Sequence, residues 1–390
     1  MKEYDFIIIG AGAAGLMMAV GMVKDPAFKD KSILLLDKDA KKTNDRTWCF
    51  WEQGPGPFDS IVYKSWDYIY FAGKEYNNSL SIAPYSYKMV QGIDFYANYL
   101  GRIQKYPNID FVQETVKEIA EFPSHVGVVT SEHHYKGKQV FDSRFHYDKM
   151  QNRSKYPILQ QHFIGWFVKT KQPVFNASQA TFMDFSIEQK GNTRFMYVLP
   201  FSETEALVEY TLFSEKLLPE QEYEMAIEQY MAAHFKCTDF EIVEKEKGSI
   251  PMTCYEFSQH NTQRIFYIGT AGGWSKPSTG YTFKNTAKKS AKLIEFLKTN
   301  KPLRKFTRKN RYWYFDLLIL NILYRNNELG RSIFEALFKK RSPQLIFKFL
   351  DEETTWYEDI WITMAPKPLP FFKSLFRHLF WGIIRSKKQW

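Results

Sequence analysis

Residues 4–37 decide the fold: Tyr4-Asp5-Phe6-Ile7-Ile8-Ile9, then Gly10-Ala11-Gly12-Ala13-Ala14-Gly15, then Leu16-Met17-Met18-Ala19-Val20-Gly21-Met22-Val23, and after a polar loop Ser32-Ile33-Leu34-Leu35-Leu36-Asp37. A β-rich run meets a complete GxGxxG turn, an apolar helical stretch follows, and a second β-rich run ends on an acid. This is the order of a βαβ dinucleotide-binding unit. Gly10 permits the tight turn, and Gly12 lets backbone approach a pyrophosphate at the helix N-terminus. Gly15 lets the helix lie close on the strand. The turn as a whole, Gly10, Ala11, Gly12, Ala13, Ala14 and Gly15, is the expected phosphate cradle. Asp37 is placed to accept hydrogen bonds from ribose hydroxyls, which favours FAD or NAD over NADP. The uncharged run Phe6–Val23 has the length of a membrane span, but its glycine pattern explains it better as part of this unit.

A second glycine turn lies far downstream. Arg264-Ile265-Phe266-Tyr267-Ile268 enters Gly269-Thr270-Ala271-Gly272-Gly273, and Lys276-Pro277-Ser278-Thr279-Gly280 leads into a helical stretch beginning near Asn285. Gly269, Gly272, Gly273 and Gly280 are therefore expected at the cofactor. Two such turns about 250 residues apart suit FAD, which is long enough to span both. Arg46, in Asp45-Arg46-Thr47-Trp48, occupies a position where FAD-binding folds often present an arginine to the pyrophosphate or flavin.

Between the turns the pattern changes to period-2 alternation. Residues 60–90, 161–168, 180–185, 194–200 and 206–211 read as strands of a mainly antiparallel sheet. The expected fold is α/β: a Rossmann-like FAD-binding domain (residues 1–60 and 260–300, with parts of 90–145), an inserted β-sheet substrate domain (61–90 and 146–259), and a basic, aromatic, helical C-terminal region (301–390). Glu209 stands in Leu207-Val208-Glu209-Tyr210-Thr211 among apolar neighbours. Facing inward, it would be held protonated by desolvation and could serve as a general acid. Facing outward, it is an ordinary strand glutamate, and alternation alone leaves the choice open. His162 reads as a structural histidine among aromatics.

Composition bounds the rest. The chain has 390 residues with 44% apolar and 25% charged, so it is globular. Its three cysteines, Cys49, Cys237 and Cys254, are too dispersed for a disulfide framework or a CxxC metal site, and a reducing cytoplasmic compartment fits them. Residues 301–390 hold 18 Lys+Arg against 8 Asp+Glu, so the whole net charge of +10 resides there, while the first 300 are balanced at 35 and 35. In the last segment Phe372, Leu375, Phe376, Leu379, Phe380 and Ile383 share a helical face, with Lys373, Arg377 and Arg385 elsewhere and Trp381 and Trp390 flanking. This reads as an interfacial helix on a membrane surface. Nucleic acid is not expected, because no binding motif accompanies the charge.

Taken together, these motifs resemble the bacterial, flavin-containing lycopene β-cyclases. Asp45-Arg46-Thr47-Trp48, Gln161-His162-Phe163-Ile164-Gly165, Phe182-Met183-Asp184-Phe185, Arg194 to Pro200, Leu207 to Thr211, Gly248-Ser249-Ile250-Pro251-Met252 and Ile268 to Gly273 occur in that family's order from residue 4 to about 290. Two departures stand out. The acidic strand usually carries two adjacent acids, and here the second is Tyr210, which leaves Glu209 alone. Thr270 stands where many related flavoproteins have Asp. The resemblance implies a catalytic role for Glu209 and FAD in its reduced form, with NAD(P)H as reductant. It also implies lycopene as substrate, a membrane-associated site of action, and other enzymes of carotenoid synthesis as partners. The implied reaction protonates C2 of a terminal double bond, closes the ring through C1 and C6, and loses a C6 proton without net redox change. A flavin monooxygenase, a polyprenyl reductase or a non-catalytic membrane-docked flavoprotein remain alternatives on the same fold.

Overall fold

A computed structural model describes residues 2–151, 154–299, 301–306 and 309–376. The isoleucines that open the chain do what their pattern requires. Strand Lys2–Ile9 is central in a parallel sheet, flanked by Ile33–Asp37 and then Ile109–Gln113 on one side and by His134–Asp142 on the other. Strand His134–Asp142 serves two neighbours. Its first half pairs antiparallel with Val126–Thr130, which continues to Val116–Glu121, and its second half pairs in parallel with Ile265–Tyr267. The strand leading to the second glycine turn thereby returns beside the first βαβ unit, 250 residues away in sequence. Helix Ala13–Lys24 is apolar nearly all round because it is covered on every side. The sheet lies beneath it, and helices Gly92–Ile103 and Phe283–Leu297 pack alongside.

A second, seven-stranded sheet has the order Phe240–Thr253, Ile158–Thr170, Glu205–Ser214, Thr193–Pro200, Gln179–Asp184, Tyr68–Ala72 and Asn77–Ser81. All its pairs are antiparallel except Gln179–Asp184 with Tyr68–Ala72. Alternation divides its faces. On strand Glu205–Ser214, Ala206, Val208, Tyr210 and Leu212 pack under helix Glu220–His234, while Leu207, Glu209 and Phe213 point to the interior of the molecule. A three-stranded sheet, Thr47–Gln53, Tyr85–Gln91 and Lys64–Trp66, bridges the two larger ones, and the Trp66 indole N–H donates to the Pro200 carbonyl at 3.1 Å.

The basic C-terminal region is built into the body past residue 350, with Ile362 in the core and Ala365 fully buried. Helices Arg311–Arg325, Leu329–Lys340 and Pro343–Leu350 lie against the aromatic inner face of the second sheet. Phe338 stacks on Phe71 with ring centroids 4.3 Å apart, and Phe347 stacks on Trp51 at 4.6 Å. Helix Trp356–Thr363 follows, opened by a capping box of Thr355 and Glu358. Phe372, Leu375 and Phe376 of the expected interfacial helix are described and exposed. Arg377, Leu379, Phe380, Trp381, Ile383, Arg385 and Trp390 lie outside the described residues.

Candidate active site

The glycine turns assemble a cradle for a dinucleotide. Gly10 has φ +96°, a conformation that glycine alone adopts readily. Gly15 faces the Gly10 carbonyl so closely that a Cβ there would sit 1.8 Å from its oxygen. Gly12 differs: a Cβ on it would meet nothing within 4 Å, and no side chain caps the helix it begins. Its backbone therefore borders open space where the first-turn N–H groups lack intrahelical partners, an arrangement suited to an anion. Gly269, Gly273 and Gly280 all have positive φ, and Gly272 is locked against the Tyr267 carbonyl.

These turns open on a cavity of about 530 Å³. Gly12, Ala13 and Ala14 line it from the first turn, Gly269, Thr270 and Gly280 from the second, and Arg46 from the intervening loop. Gly10, Ala11, Gly15, Gly272 and Gly273 shape the turns without lining the cavity. Asp37 also stays back. Its Oδ2 accepts the Ala11 N–H at 2.6 Å and pairs with Lys41 at 3.5 Å, so the acid ties the second strand to the glycine turn. Three buried polar atoms in the lining lack a protein partner: Gln161 Oε1, Thr279 Oγ1 and Thr286 Oγ1. Unpaired buried groups are costly, and these three, with the open first turn, fit a polar cofactor lying between the two glycine motifs.

The far wall is the second sheet. Strand register sets Tyr197, Glu209, Gly165 and Glu246 side by side in one row across four strands. Phe195, Phe213, Leu207, Phe163, Phe182 and Met183 make much of the remaining wall apolar. Glu209 is 8% exposed, and burial, followed by the charge of Glu246, pushes its carboxyl up to about 8 against the hydrogen bond it accepts from the Thr211 hydroxyl. It is therefore mainly protonated at neutral pH in an apolar cavity. Tyr87 and Tyr197 hydrogen-bond to each other beside it, and burial raises both phenols and the Cys49 thiol, the latter to about 12.

The other face of the sheet accounts for the remaining polar residues of the motifs. His162 is buried with both nitrogens engaged, Nε2 with Ser214 Oγ at 2.7 Å and Nδ1 with the Tyr223 hydroxyl at 2.6 Å, and burial lowers it to about 4. Asp184 accepts the Tyr230 hydroxyl at 2.7 Å and the Ser186 N–H at 2.8 Å. Tyr210 accepts from Arg194 at 2.9 Å, and Arg194 also binds Glu222 at 2.7 Å. The departure at position 210 thus has a geometric consequence. Adjacent strand residues point to opposite faces, so an acid at 210 would face Arg194 and not the cavity.

Glu246 is the functional candidate that motif reading missed. Its Oε2 accepts the Thr47 hydroxyl at 2.8 Å, and burial raises its carboxyl to about 7. The structure, not the motif, places it. In Glu244-Lys245-Glu246-Lys247 the lysines pair outward with Glu224 and Glu220, at 2.5 and 3.6 Å, which leaves both glutamates on the inner face.

The fold is shared with flavin-dependent enzymes of known structure. The geranylgeranyl bacteriochlorophyll reductase-like protein of Thermoplasma acidophilum matches with a TM-score of 0.69 at 11% identity, covering 96% of this chain and 98% of its own. The p-nitrophenol 4-monooxygenase PnpA of Pseudomonas putida DLL-E4 matches at 0.63 and 12% identity, covering 94% and 100%. The flavin-dependent brominase Bmp2 matches at 0.58 and 14%, covering 99% and 100%. No curated protein matches the sequence. The lycopene cyclase protein family matches residues 5–376, and the chain belongs to that family.

Proposed function

We propose that the protein is an FAD-binding lycopene β-cyclase in which Glu209 is the proton donor. One observation carries this reading. A carboxylic acid that remains protonated near neutral pH stands on the apolar wall of the same cavity that opens on both glycine turns. Redox chemistry on this fold has no need of such an acid. Proton-initiated cyclisation does, because an isolated alkene is a very weak base and its cation is quenched by water.

Gly12, Ala13, Ala14, Gly269, Thr270 and Gly280 would hold the dinucleotide, with Arg46 at its phosphates. When bound in its reduced, anionic form the flavin supplies negative charge that favours a carbocation nearby. Glu209 gives its proton to C2 of the terminal double bond. The C5–C6 double bond attacks the tertiary cation at C1, the C1–C6 bond closes, and loss of the C6 proton restores a C5–C6 double bond as the β-ring. Phe182, Phe195, Phe213 and Leu207 exclude water and receive the apolar polyene end. NAD(P)H is the expected reductant.

Docking to an anionic lipid surface belongs to the same proposal. Trp356 and Trp361 are each more than half exposed, and Ile360, Met364, Leu369 and Phe372 extend the apolar surface. Arg341 stacks over Trp361 at 4.0 Å, and Lys367 and Lys373 lie nearby in sequence. Exposed tryptophans beside basic residues suit a bilayer interface, where a carotenoid would be found. Among the described residues no helix is long and apolar enough to cross a membrane.

The test is pigment analysis in cells that accumulate lycopene. Cells with the parent protein are expected to form monocyclic and bicyclic β-ring carotenoids, and cells with Glu209→Gln to retain lycopene while the purified variant still binds FAD. Lycopene left unchanged by the parent with reduced flavin present would overturn the reading. Stoichiometric hydride or oxygen consumption would move it to a reductase or monooxygenase.

A further inference from the structure

The row that contains Glu209 holds a second carboxylate. Strand register sets Glu209 opposite Gly165 on one side and Glu246 opposite Gly165 on the other, all on the cavity face. Their Cα atoms are two strand spacings apart, about 10 Å, and the residue between them has no side chain. A Cβ on Gly165 would lie 2.9 Å from Leu207 Cδ1, 3.4 Å from Glu246 Cγ and 3.5 Å from Glu209 Cβ, so Leu207 and both acids close round the narrow notch at this glycine. Both line the cavity.

The two carboxylates are oriented independently. Glu209 takes the hydroxyl of Thr211, two residues along its own strand, whereas Glu246 takes the hydroxyl of Thr47, from the bridging sheet. Their charged surroundings differ as well. Glu246 is faced by Arg46 from the Asp45-Arg46-Thr47 loop and by Glu244 on its own strand, with Glu209 across the notch. Thr47 and Arg46 favour its ionised form while burial and Glu244 oppose it. Glu209 is faced by Glu246, by Thr211 and by the Cys49 side of the bridging sheet, and among the described residues no cation favours its anion. Of the pair, Glu246 is the one that gives up its proton first.

We propose that Glu246 is the base that removes the ring proton in the final step, with Glu209 as the acid of the first. This rests on the cyclase reading above. The step balances. Glu209 loses its proton as the C2–H bond forms, and the C1–C6 bond takes the electron pair of the C5–C6 double bond. Glu246 then gains the C6 proton as the C6–H pair becomes the new C5–C6 double bond. C2 and C6 are both bonded to C1, so the hydrogen gained and the hydrogen lost sit on the two ring atoms that flank C1. Two carboxylates flanking a single-residue notch can bracket them. After turnover Glu209 is ionised and Glu246 protonated, and one proton passed back resets the pair. Tyr210 cannot share this work, because it faces Arg194 on the opposite side of the sheet.

The inference makes a claim about product identity as well as rate. A cation whose C6 proton is not collected loses one from C4 or from the C5 methyl, giving ε or γ rings. The experiment compares the parent, Glu246→Gln and Glu246→Asp with lycopene and reduced FAD, resolving ring types by chromatography and absorption spectra and checking FAD binding for each. Expected is a rate order of parent, then Asp, then Gln, with at least a tenfold loss for Gln and ε or γ rings among whatever Gln forms. Activity in Asp with none in Gln also supports the base. The proposal is overturned if Gln forms only β rings at any measurable rate, or if Asp and Gln are equally impaired. A parent that forms no rings would count against the cyclase reading itself.

Discussion

Glu209→Gln should separate catalysis from stability in opposite directions. Gln keeps the shape and can still accept the Thr211 hydroxyl, but it cannot donate a proton to an alkene or ionise. In the folded protein the carboxyl is raised from 4.5 to about 8 by burial and by Glu246. The unfolded chain therefore releases a proton between about pH 4.5 and 8 that the folded chain retains. Because the folded state binds more protons across that window, the stability from this group is complete below pH 4.5 and is lost as pH rises to about 8. At about 1.4 kcal/mol per pH unit, the parent is penalised by about 3 kcal/mol at pH 7 and about 5 kcal/mol above pH 8. The variant carries no such penalty. With an unfolding entropy near 2 cal/mol/K per residue over 390 residues, that corresponds to a Tm gain of about 4 °C at pH 7 relative to pH 5. The assay is thermal unfolding of parent and variant from pH 5 to 9, alongside pigment formation. A Tm difference that does not grow with pH would refute the buried, protonated acid. Continued cyclisation by the variant would refute its role.

The glycine turn predicts contrasting effects for two alanines. Gly12→Ala points a methyl into open space and should leave the Tm of the apoprotein unchanged while reducing bound flavin severalfold, read from flavin absorbance. Gly15→Ala collides with the Gly10 carbonyl and should lower the Tm or the soluble yield before any cofactor is added. Lys276 is buried with Asp316 at 3.2 Å and Glu352 at 3.6 Å, and it anchors the loop bearing Gly280 to helix Arg311–Arg325. Asp316→Ala should cost about 3–5 kcal/mol by taking the nearer, fully buried carboxylate from that charge, whereas Lys276→Met with Asp316→Leu should recover most of the loss in denaturant titration. Trp356→Ser with Trp361→Ser should reduce co-sedimentation with anionic vesicles several-fold and leave the Tm within about 2 °C, because both side chains are exposed.

What could be read in the sequence was local. The first βαβ unit is contiguous, its glycines and strands fall at fixed offsets, and every constraint on it lies within residues 4–37. The second glycine turn was legible for the same reason. Its return beside the first was expected from the reach of FAD, but the contact that produces it, the pairing of Val140 with Ile265 across 125 positions, was not. Glu209 was visible as an acid in an apolar strand, but its direction was not. Every residue from Ala206 to Phe213 is buried, so the alternation that usually separates core from solvent separates two cores here. Glu246 was hidden by the opposite circumstance. Glu244-Lys245-Glu246-Lys247 has the appearance of a solvated edge strand, and only the register against Gly165 reveals that one side of it faces a cavity.

The two faces of that sheet also distinguish structural polar groups from reactive ones. On the helix-covered face three buried polar residues of the motifs each have two partners: His162 with Ser214 and Tyr223, Asp184 with Tyr230 and Ser186, Arg194 with Tyr210 and Glu222. Groups satisfied in this way have little capacity left for a ligand, and His162, held neutral with both nitrogens occupied, cannot take up a proton without breaking a hydrogen bond. On the cavity face Glu209 and Glu246 each take one hydroxyl, from Thr211 and Thr47, and keep lone pairs turned toward the cavity. The cost of burying them so sparsely appears in their raised pKa values, and it persists because the rest of the sheet is over-determined. An exchange of partners should therefore be asymmetric. Removing Tyr223 or Tyr230 should lower stability and leave ring type unchanged, whereas removing Thr47 should leave stability nearly unchanged and shift ring type by freeing Glu246 to reorient. Thr47→Val, with pigment analysis and thermal unfolding, tests this division, and a loss of stability with unaltered β rings would contradict it.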